Sequence, residues 1–215
     1  MRFYIVSLSI YSVAITILAV MLMLQNKDLK TRGAGGPPPV DYDTRHDIDT
    51  QDIPWMGTEA ASVSVIQFND FECPFCAKGS DVIRQLMAAY PTQVKVGFKN
   101  LPLPFHNNAR AAAGAALAAY RQGKFWEMEQ KLFENQERLS PELYSELAAE
   151  LGLDLDGFDS LKDPENWTDY LETQRQEAEK AGVTGTPTFF VNGIKVSGAS
   201  YADLKEVVDF ALAQK

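Results

Sequence analysis

Both cysteines of the chain stand two residues apart, in Phe71-Glu72-Cys73-Pro74-Phe75-Cys76, and this stretch constrains the fold more than any other. Ahead of it, Ser62 to Asn69 is rich in Val, Ile and Phe and reads as a strand. Behind it, Ile83, Leu86, Met87 and Tyr90 recur at helical spacing. The pair therefore sits where a strand feeds a helix. Pro74 suits the first helical position, where no N–H is needed and φ is already set. That puts Cys73 at or beside the N-cap, where free N–H groups and the positive end of the helix dipole favour a thiolate. A thiolate is the form that attacks a disulfide or leaves from one. Cys76, one turn further in, is placed to close a ring with Cys73. The chemistry expected is dithiol–disulfide exchange, with the Cys73–Cys76 pair as redox centre and no further cofactor.

Composition narrows the alternatives. Two cysteines are too few for a disulfide-stapled scaffold or a four-cysteine zinc site, and both belong to the motif. An arrangement with no stray thiol fits an oxidising compartment. A net charge of −9 argues against nucleic acid as a partner. The 215 residues suffice for one domain with a core, plus appendages.

Those appendages lie at the N-terminus. Phe3 to Leu24 carries no charge and would span about 33 Å as a helix, against a hydrocarbon core of about 30 Å. The run is long for a secretory signal, and no small-x-small cleavage site follows it closely. Residues 1–26 are therefore expected to be an uncleaved membrane anchor, with a cleaved signal peptide as the alternative. Residues 27–52 read as a flexible linker: glycines, then Pro37-Pro38-Pro39, then a polar acidic stretch with little to bury. His46, within that stretch, reads as a solvated side chain.

The folded domain is expected over 53–215. Val94 to Lys99 alternates as a strand does. Ala109 to Tyr120 is an alanine-rich helix entered at Asn107 or Asn108. Phe125, Met128, Glu129, Leu132 and Phe133 form the buried face of the next helix. Ser140-Pro141 and Asp163-Pro164 open further helices, and Gly123, Gly152 and Gly182 close others. Thr188 to Val191, Asn192-Gly193 and Ile194 to Val196 make a hairpin. Ser200 caps a last helix with Leu204, Val207, Val208 and Ala211 inward. The acidic run from Glu142 to Glu179 reads as a solvated helix face. His106 reads as structural, at a helix entry.

The motif residues, together with Leu101-Pro102-Leu103-Pro104-Phe105-His106, Gly123-Lys124-Phe125-Trp126-Glu127-Met128 and Gly185-Thr186-Pro187-Thr188, resemble a DsbA-like thiol–disulfide oxidoreductase of the thioredoxin superfamily. The resemblance runs from about Ile53 to the C-terminus. It implies an α/β thioredoxin fold with a helical insertion at about 105–181, preceded here by the transmembrane helix and linker. It implies Cys73 as exposed nucleophile, Cys76 as buried resolving thiol, and Pro74 and Phe75 as the tuning dipeptide. It also implies a cis Pro187 with Thr186 as the substrate-binding edge, and no metal. The partners implied are reduced or misoxidised exported proteins, and a membrane thiol oxidoreductase that resets the pair. The membrane is reached through the N-terminal helix. Charge bias alone, Arg2 against Lys27, Lys30 and Arg32, would put the domain in the cytoplasm; the resemblance implies the opposite side.

Two departures from the family pattern carry expectations. Phe75 replaces the histidine of the strongest oxidants, and Glu72 adds a negative charge expected to raise the pKa of Cys73. Both point to a milder oxidant. Gln67 stands where relatives often keep a buried acid, six residues before the first cysteine. Asp70 or a water is then left to take the proton of Cys76. The function expected is a dithiol oxidase introducing disulfides into exported proteins. A reductase or isomerase, or a copper-binding thiol module, is the alternative.

Overall fold

Two strands flush at their C-terminal ends organise the domain. β2 (Val63–Asn69) and β3 (Val94–Asn100) pair in parallel, with Val63 opposite Val94 and Asn69 opposite Asn100. β1 (Trp55–Met56) adds antiparallel to the outer edge of β3. β4 (Thr188–Val191) runs antiparallel to β2, Thr188 opposite Phe68, and β5 (Ile194–Ser197) closes the order β1-β3-β2-β4-β5. This register brings the start of β4 beside the end of β2, where the cysteine loop emerges. The structure, a computed structural model, describes residues 39–214. The expected anchor at 1–26 and the linker as far as 38 lie outside the described residues. Among those described, no helix is long and apolar enough to cross a membrane.

The alternation along β2 sorts the layers. Val63 and Val65 face α1 (Pro74–Ala89) and the last helix, α7 (Tyr201–Ala213), whose Leu204, Val207 and Val208 complete that core. Ile66 and Phe68 face the other side, against Ala178 and Ala181 at the end of α6 (Thr168–Lys180). With helices on both faces, even Lys99 and Asn100 are buried. Lys99 pairs with Glu177, and the Asn100 N–H donates to Gln174 Oε1 at 2.7 Å.

Between β3 and β4 lies the insertion: α2 (Ala109–Tyr120), α3 (Phe125–Glu134), α4 (Pro141–Glu150) and α5 (Leu155–Leu161), then α6. Two expected caps form, although Asp163-Pro164 opens a short 3-10 turn (Pro164–Trp167) and α6 itself begins at Thr168 without a side-chain cap. Ser140 Oγ accepts from the Leu143 N–H at 3.3 Å, and Asp163 Oδ1 from the Glu165 N–H at 2.9 Å. α5 was not expected; Gly157 inside it weakens the helical signal, and Asp154 Oδ2 caps it through the Gly157 N–H. The alanines of α2 allow close approach. At Gly114 an added Cβ would lie 2.4 Å from the Lys162 carbonyl oxygen.

The stretch 40–52 is a correction to the expected linker. It is extended, but it lies along the domain. Ile48 is 9% exposed, the Tyr42 ring meets Phe210 edge-on at 4.7 Å, and the His46 N–H donates to the Gly193 carbonyl at 2.9 Å. The His46 ring packs on Phe190 rather than standing in solvent. Scattered apolar residues without a period, Val40, Tyr42 and Ile48, find separate hollows, so composition alone reads the segment as free.

One buried carboxylate gives a stability prediction. Glu129 on α3 is 1% exposed, accepts from the Ser80 hydroxyl of α1 and sits 3.3 Å from Arg84. Burial outweighs both partners and pushes its pKa up to about 7. The folded state thus keeps this proton to higher pH than the unfolded chain, and stability is lost as pH rises from about 4.5 to about 7, by about 3 kcal/mol in all. Glu129→Gln is expected to remove that fall. Urea unfolding at pH 5 and pH 8 checks it, and an unchanged pH slope would contradict it.

Candidate active site

The cysteine loop is built into the core that β3 shares with the helical insertion. Phe71 stacks on Phe98 of β3 at 5.4 Å and meets Phe133 of α3 at a tilt at 5.0 Å, and Phe98 meets Phe125 at 5.0 Å. This cluster ties loop, sheet and insertion together; each such aromatic pair adds about 0.5–1.5 kcal/mol beyond the area it buries. Gln136, in the turn after α3, donates through Nε2 to the carbonyls of Phe71 at 2.7 Å and Cys73 at 3.0 Å.

Cys73 is the N-cap of α1, with extended backbone (φ −78°, ψ 118°), and Pro74 occupies the first turn. Its sulfur faces the Thr186–Pro187 peptide, which is cis, and as a thiol it donates to the Thr186 carbonyl at 3.4 Å. Gly79 lets α1 approach that proline: a Cβ there would stand 3.2 Å from Pro187 Cγ. Both cysteines are free thiols. Cys76 is fully buried. Cys73 is 5% exposed, which corrects the expectation of an exposed nucleophile. The cis-proline loop covers one side of its sulfur, and the shared core covers the other.

The two thiols are driven apart electrostatically. Cys73 is lowered to about 5, first by the hydrogen bond from the Cys76 thiol. The Thr186 hydroxyl and the N–H groups of Cys76 and Phe75 at the helix start assist, against desolvation. Neither N–H makes a full capping bond, so the helix start acts as a field more than as a ligand. Cys76 moves the other way, far above the ordinary thiol range, chiefly because it is buried and then because it faces Cys73.

Glu72 does not have its expected effect. Its carboxylate accepts from the Asn108 N–H at 2.6 Å, at the start of α2, and it is not among the principal influences on Cys73. Asn108 is the N-cap there but makes no side-chain capping bond. Phe75 is 61% exposed, with Lys78 Nζ 5.5 Å from its ring centre. Gln67 is fully buried, its Oε1 taken by Asn69 Nδ2 at 2.7 Å. Asp70, the expected substitute acid, has its carboxylate occupied: Oδ1 accepts from the Glu72 N–H at 2.7 Å, and Oδ2 from the Leu103 N–H at 2.7 Å. Its own N–H donates to Cys76 Sγ at 3.4 Å. His106, read as structural at a helix entry, reaches the same carboxyl group, Nδ1 to Oδ2 at 2.8 Å. Asp70, His106 and Gln136 are the site residues that sequence reasoning missed or misassigned. Only the Pro-broken Leu101–His106 stretch hinted at one of them.

A cavity of about 800 Å³ lies away from this site, between the 47–52 stretch and α6. Thiol exchange with a polypeptide needs an edge to lie along beside the sulfur, here the Thr186–Pro187 loop against Cys73, rather than a deep pocket.

Comparison with known proteins places the domain. The family described as Thioredoxin matches residues 49–210. The thioredoxin-like oxidoreductase from Silicibacter pomeroyi DSS-3 superposes with a TM-score of 0.70 at 27% identity, over 76% of this chain and 94% of that one. BdbD from Bacillus subtilis gives 0.72 at 25% identity, over 79% and 97%. The thiol-disulfide exchange protein α-DsbA2 from Wolbachia pipientis gives 0.66 at 25%, over 74% and 87%. In sequence, the chain is 37% identical over 161 residues to a protein named Na(+)/H(+) antiporter NhaA 3 from Salinispora tropica. That match covers 74% of this chain but 23% of the antiporter, so the chain spans about a quarter of the length of such relatives. The extent of the family match and the sheet order around a strand–Cys-x-x-Cys–helix junction agree: this chain belongs to the thioredoxin family and has the fold of its DsbA-like thiol–disulfide oxidoreductases.

Proposed function

We propose that the chain is a thiol–disulfide oxidoreductase that acts as a dithiol oxidase on exported proteins through Cys73 and Cys76. In the oxidised chain a client thiolate attacks Cys73 Sγ. The Cys73–Cys76 bond breaks and its electron pair passes to Cys76. A second client thiolate then attacks the client sulfur of the mixed disulfide, and Cys73 leaves as a thiolate. The client gains a disulfide; the chain keeps two electrons as a dithiol. The observation that carries the reading is the asymmetry of the pair. Cys73, lowered to about 5, is a good leaving group at neutral pH, while buried Cys76 holds its proton. The cis Thr186–Pro187 edge offers the Thr186 backbone to an extended client, as an added strand would.

The antiporter name is not carried over, because under a quarter of that protein is matched. The reading places the domain outside the cytoplasm, tethered by the N-terminal segment, with a membrane thiol oxidoreductase drawing the electrons away. Labelling of Cys73 in intact cells by a membrane-impermeant thiol reagent, after an impermeant reductant has opened the pair, checks that placement, and protection until lysis would contradict it. For the activity, the oxidised full chain is mixed with a reduced, unfolded secreted protein. Disulfides are expected in the client with one-for-one reduction of the chain. No transfer would refute the oxidase, and net transfer in the opposite direction would establish the reductase instead.

A further inference from the structure

Opening the Cys73–Cys76 disulfide puts negative charge on a sulfur that has no solvent beside it. A charge formed in a buried place needs donors already aimed at it, since water cannot turn to meet it. Two groups face Cys76 in this way. One is the Thr186 hydroxyl, which lies by both sulfurs and makes no hydrogen bond among the described residues, so it is free to turn to Cys76. The other is the backbone N–H of Asp70, 3.4 Å from Cys76 Sγ.

The Asp70 N–H is held from two directions. The Asp70 carbonyl accepts from the Cys73 N–H at 3.2 Å, within the loop. The Asp70 side chain, 0% exposed, accepts the N–H groups of Glu72 and Leu103 and the ring of His106. His106 Nδ1 and Asp70 Oδ2 stand at hydrogen-bond distance, 2.8 Å, so the ring is tied to the carboxyl group. With its oxygens so occupied, the carboxylate acts as an anchor rather than as a base for Cys76. Of the three partners, His106 is the one contributed by a side chain. It is 18% exposed and is braced edge-on by Phe105 at 4.6 Å.

We infer that the Asp70 N–H receives the charge that passes to Cys76 as the disulfide opens, and that His106 is the positioning residue that holds Asp70 for this task. The inference rests on the redox reading of the cysteine pair and adds a role to it. The bond that forms is between the attacking sulfur and Cys73; the bond that breaks is Cys73–Cys76. The electron pair settles on Cys76 Sγ under the Asp70 N–H, and Cys76 then takes up a proton equivalent to the one lost by the attacking thiol. Without His106 the carboxylate keeps two backbone donors, so the loop stays folded, but Asp70 gains freedom to swing its N–H off the sulfur.

The test uses the full 215-residue chain and reduced glutathione as attacking thiol. His106→Leu is expected to slow opening of the oxidised pair roughly tenfold, equivalent to about 1.4 kcal/mol in the barrier. Alkylation of Cys73 by iodoacetamide in the reduced chain, which leaves no charge on Cys76, is expected to stay within about twofold. His106→Asn keeps a donor near the Nδ1 position and is expected to recover most of the opening rate. The inference is overturned if His106→Leu opens as fast as the wild type. It is overturned equally if opening and alkylation fall together, or if His106→Asn is as slow as His106→Leu. A wild-type disulfide that glutathione does not open at all would refute the redox reading beneath it. A wild-type disulfide that opens, with variants that open equally fast, would refute the role of His106 alone.

Discussion

Cys73→Ser in the full chain is expected to lower disulfide transfer to a reduced client by at least about a thousandfold, the scale on which removing an activated nucleophile acts. The reason is local. The sulfur at position 73 sits where the start of α1, the Cys76 thiol and the Thr186 hydroxyl all favour negative charge, and a serine hydroxyl cannot be oxidised there. Cys76→Ser is expected to behave differently. Cys73 keeps its place at the helix start, so it should still attack a client disulfide and then be trapped, because nothing remains to release it. Non-reducing electrophoresis separates these outcomes: no mixed species for Cys73→Ser, an accumulating one for Cys76→Ser. Equal trapping by both variants would mean that the roles of the two sulfurs are wrongly assigned.

The second large effect concerns the balance between reduced and oxidised chain. A thiol whose folded pKa is lowered stabilises the folded reduced state fully above its unfolded pKa, and that stabilisation is lost as pH falls through the folded value. For Cys73 the window runs from 9.0 down to about 5. At pH 7 the thiolate contributes about 2.7 kcal/mol, and at pH 5 about 0.4 kcal/mol. Cys76 adds nothing across this range, because its thiol is protonated in both folded and unfolded reduced chains. The stability of the reduced chain minus that of the oxidised chain should therefore fall by about 2 kcal/mol between pH 7 and pH 5. Titrations common to both states, Glu129 among them, cancel in the difference. Paired urea unfolding curves at the two pH values give it, and a constant difference would contradict the account. A value of about 5 also lies between the free thiol and the roughly 3.5 of the most acidic thiols of this class.

The parts of the fold legible in sequence are those specified by neighbours along the chain. Asn192-Gly193 makes its hairpin with both residues at positive φ. The buried faces of α3 and α7 are the residues that periodicity selects. Ser140 and Ser200 cap where their spacing says they should, while Asp163 caps a 3-10 turn ahead of α6 rather than α6 itself. What was not legible depends on distant partners. β1 is two residues long and exists because β3 offers it an edge. Lys99 is buried because Glu177, on a helix from the far side of the insertion, meets it. In the site, Cys73, Cys76 and Pro187 carry local signatures: a helix start, a fixed spacing, a Thr-Pro-Thr turn. His106 and Gln136 carry none. They come from opposite ends of the 101–138 stretch, and only the packed insertion brings them onto the cysteine loop. Glu72 shows the converse failure. Proximity in sequence to Cys73 suggested an electrostatic effect, yet its carboxylate is spent on the start of α2.

The most direct test of the account is the thiolate absorbance of the reduced full chain near 240 nm, followed from pH 3 to pH 10 against the oxidised chain as reference. A single sulfur ionising with a midpoint near 5, absent in Cys73→Ser and retained in Cys76→Ser at a higher midpoint once its hydrogen-bond donor is weakened, is the predicted result. A midpoint at the ordinary thiol value of about 8.5 would contradict it.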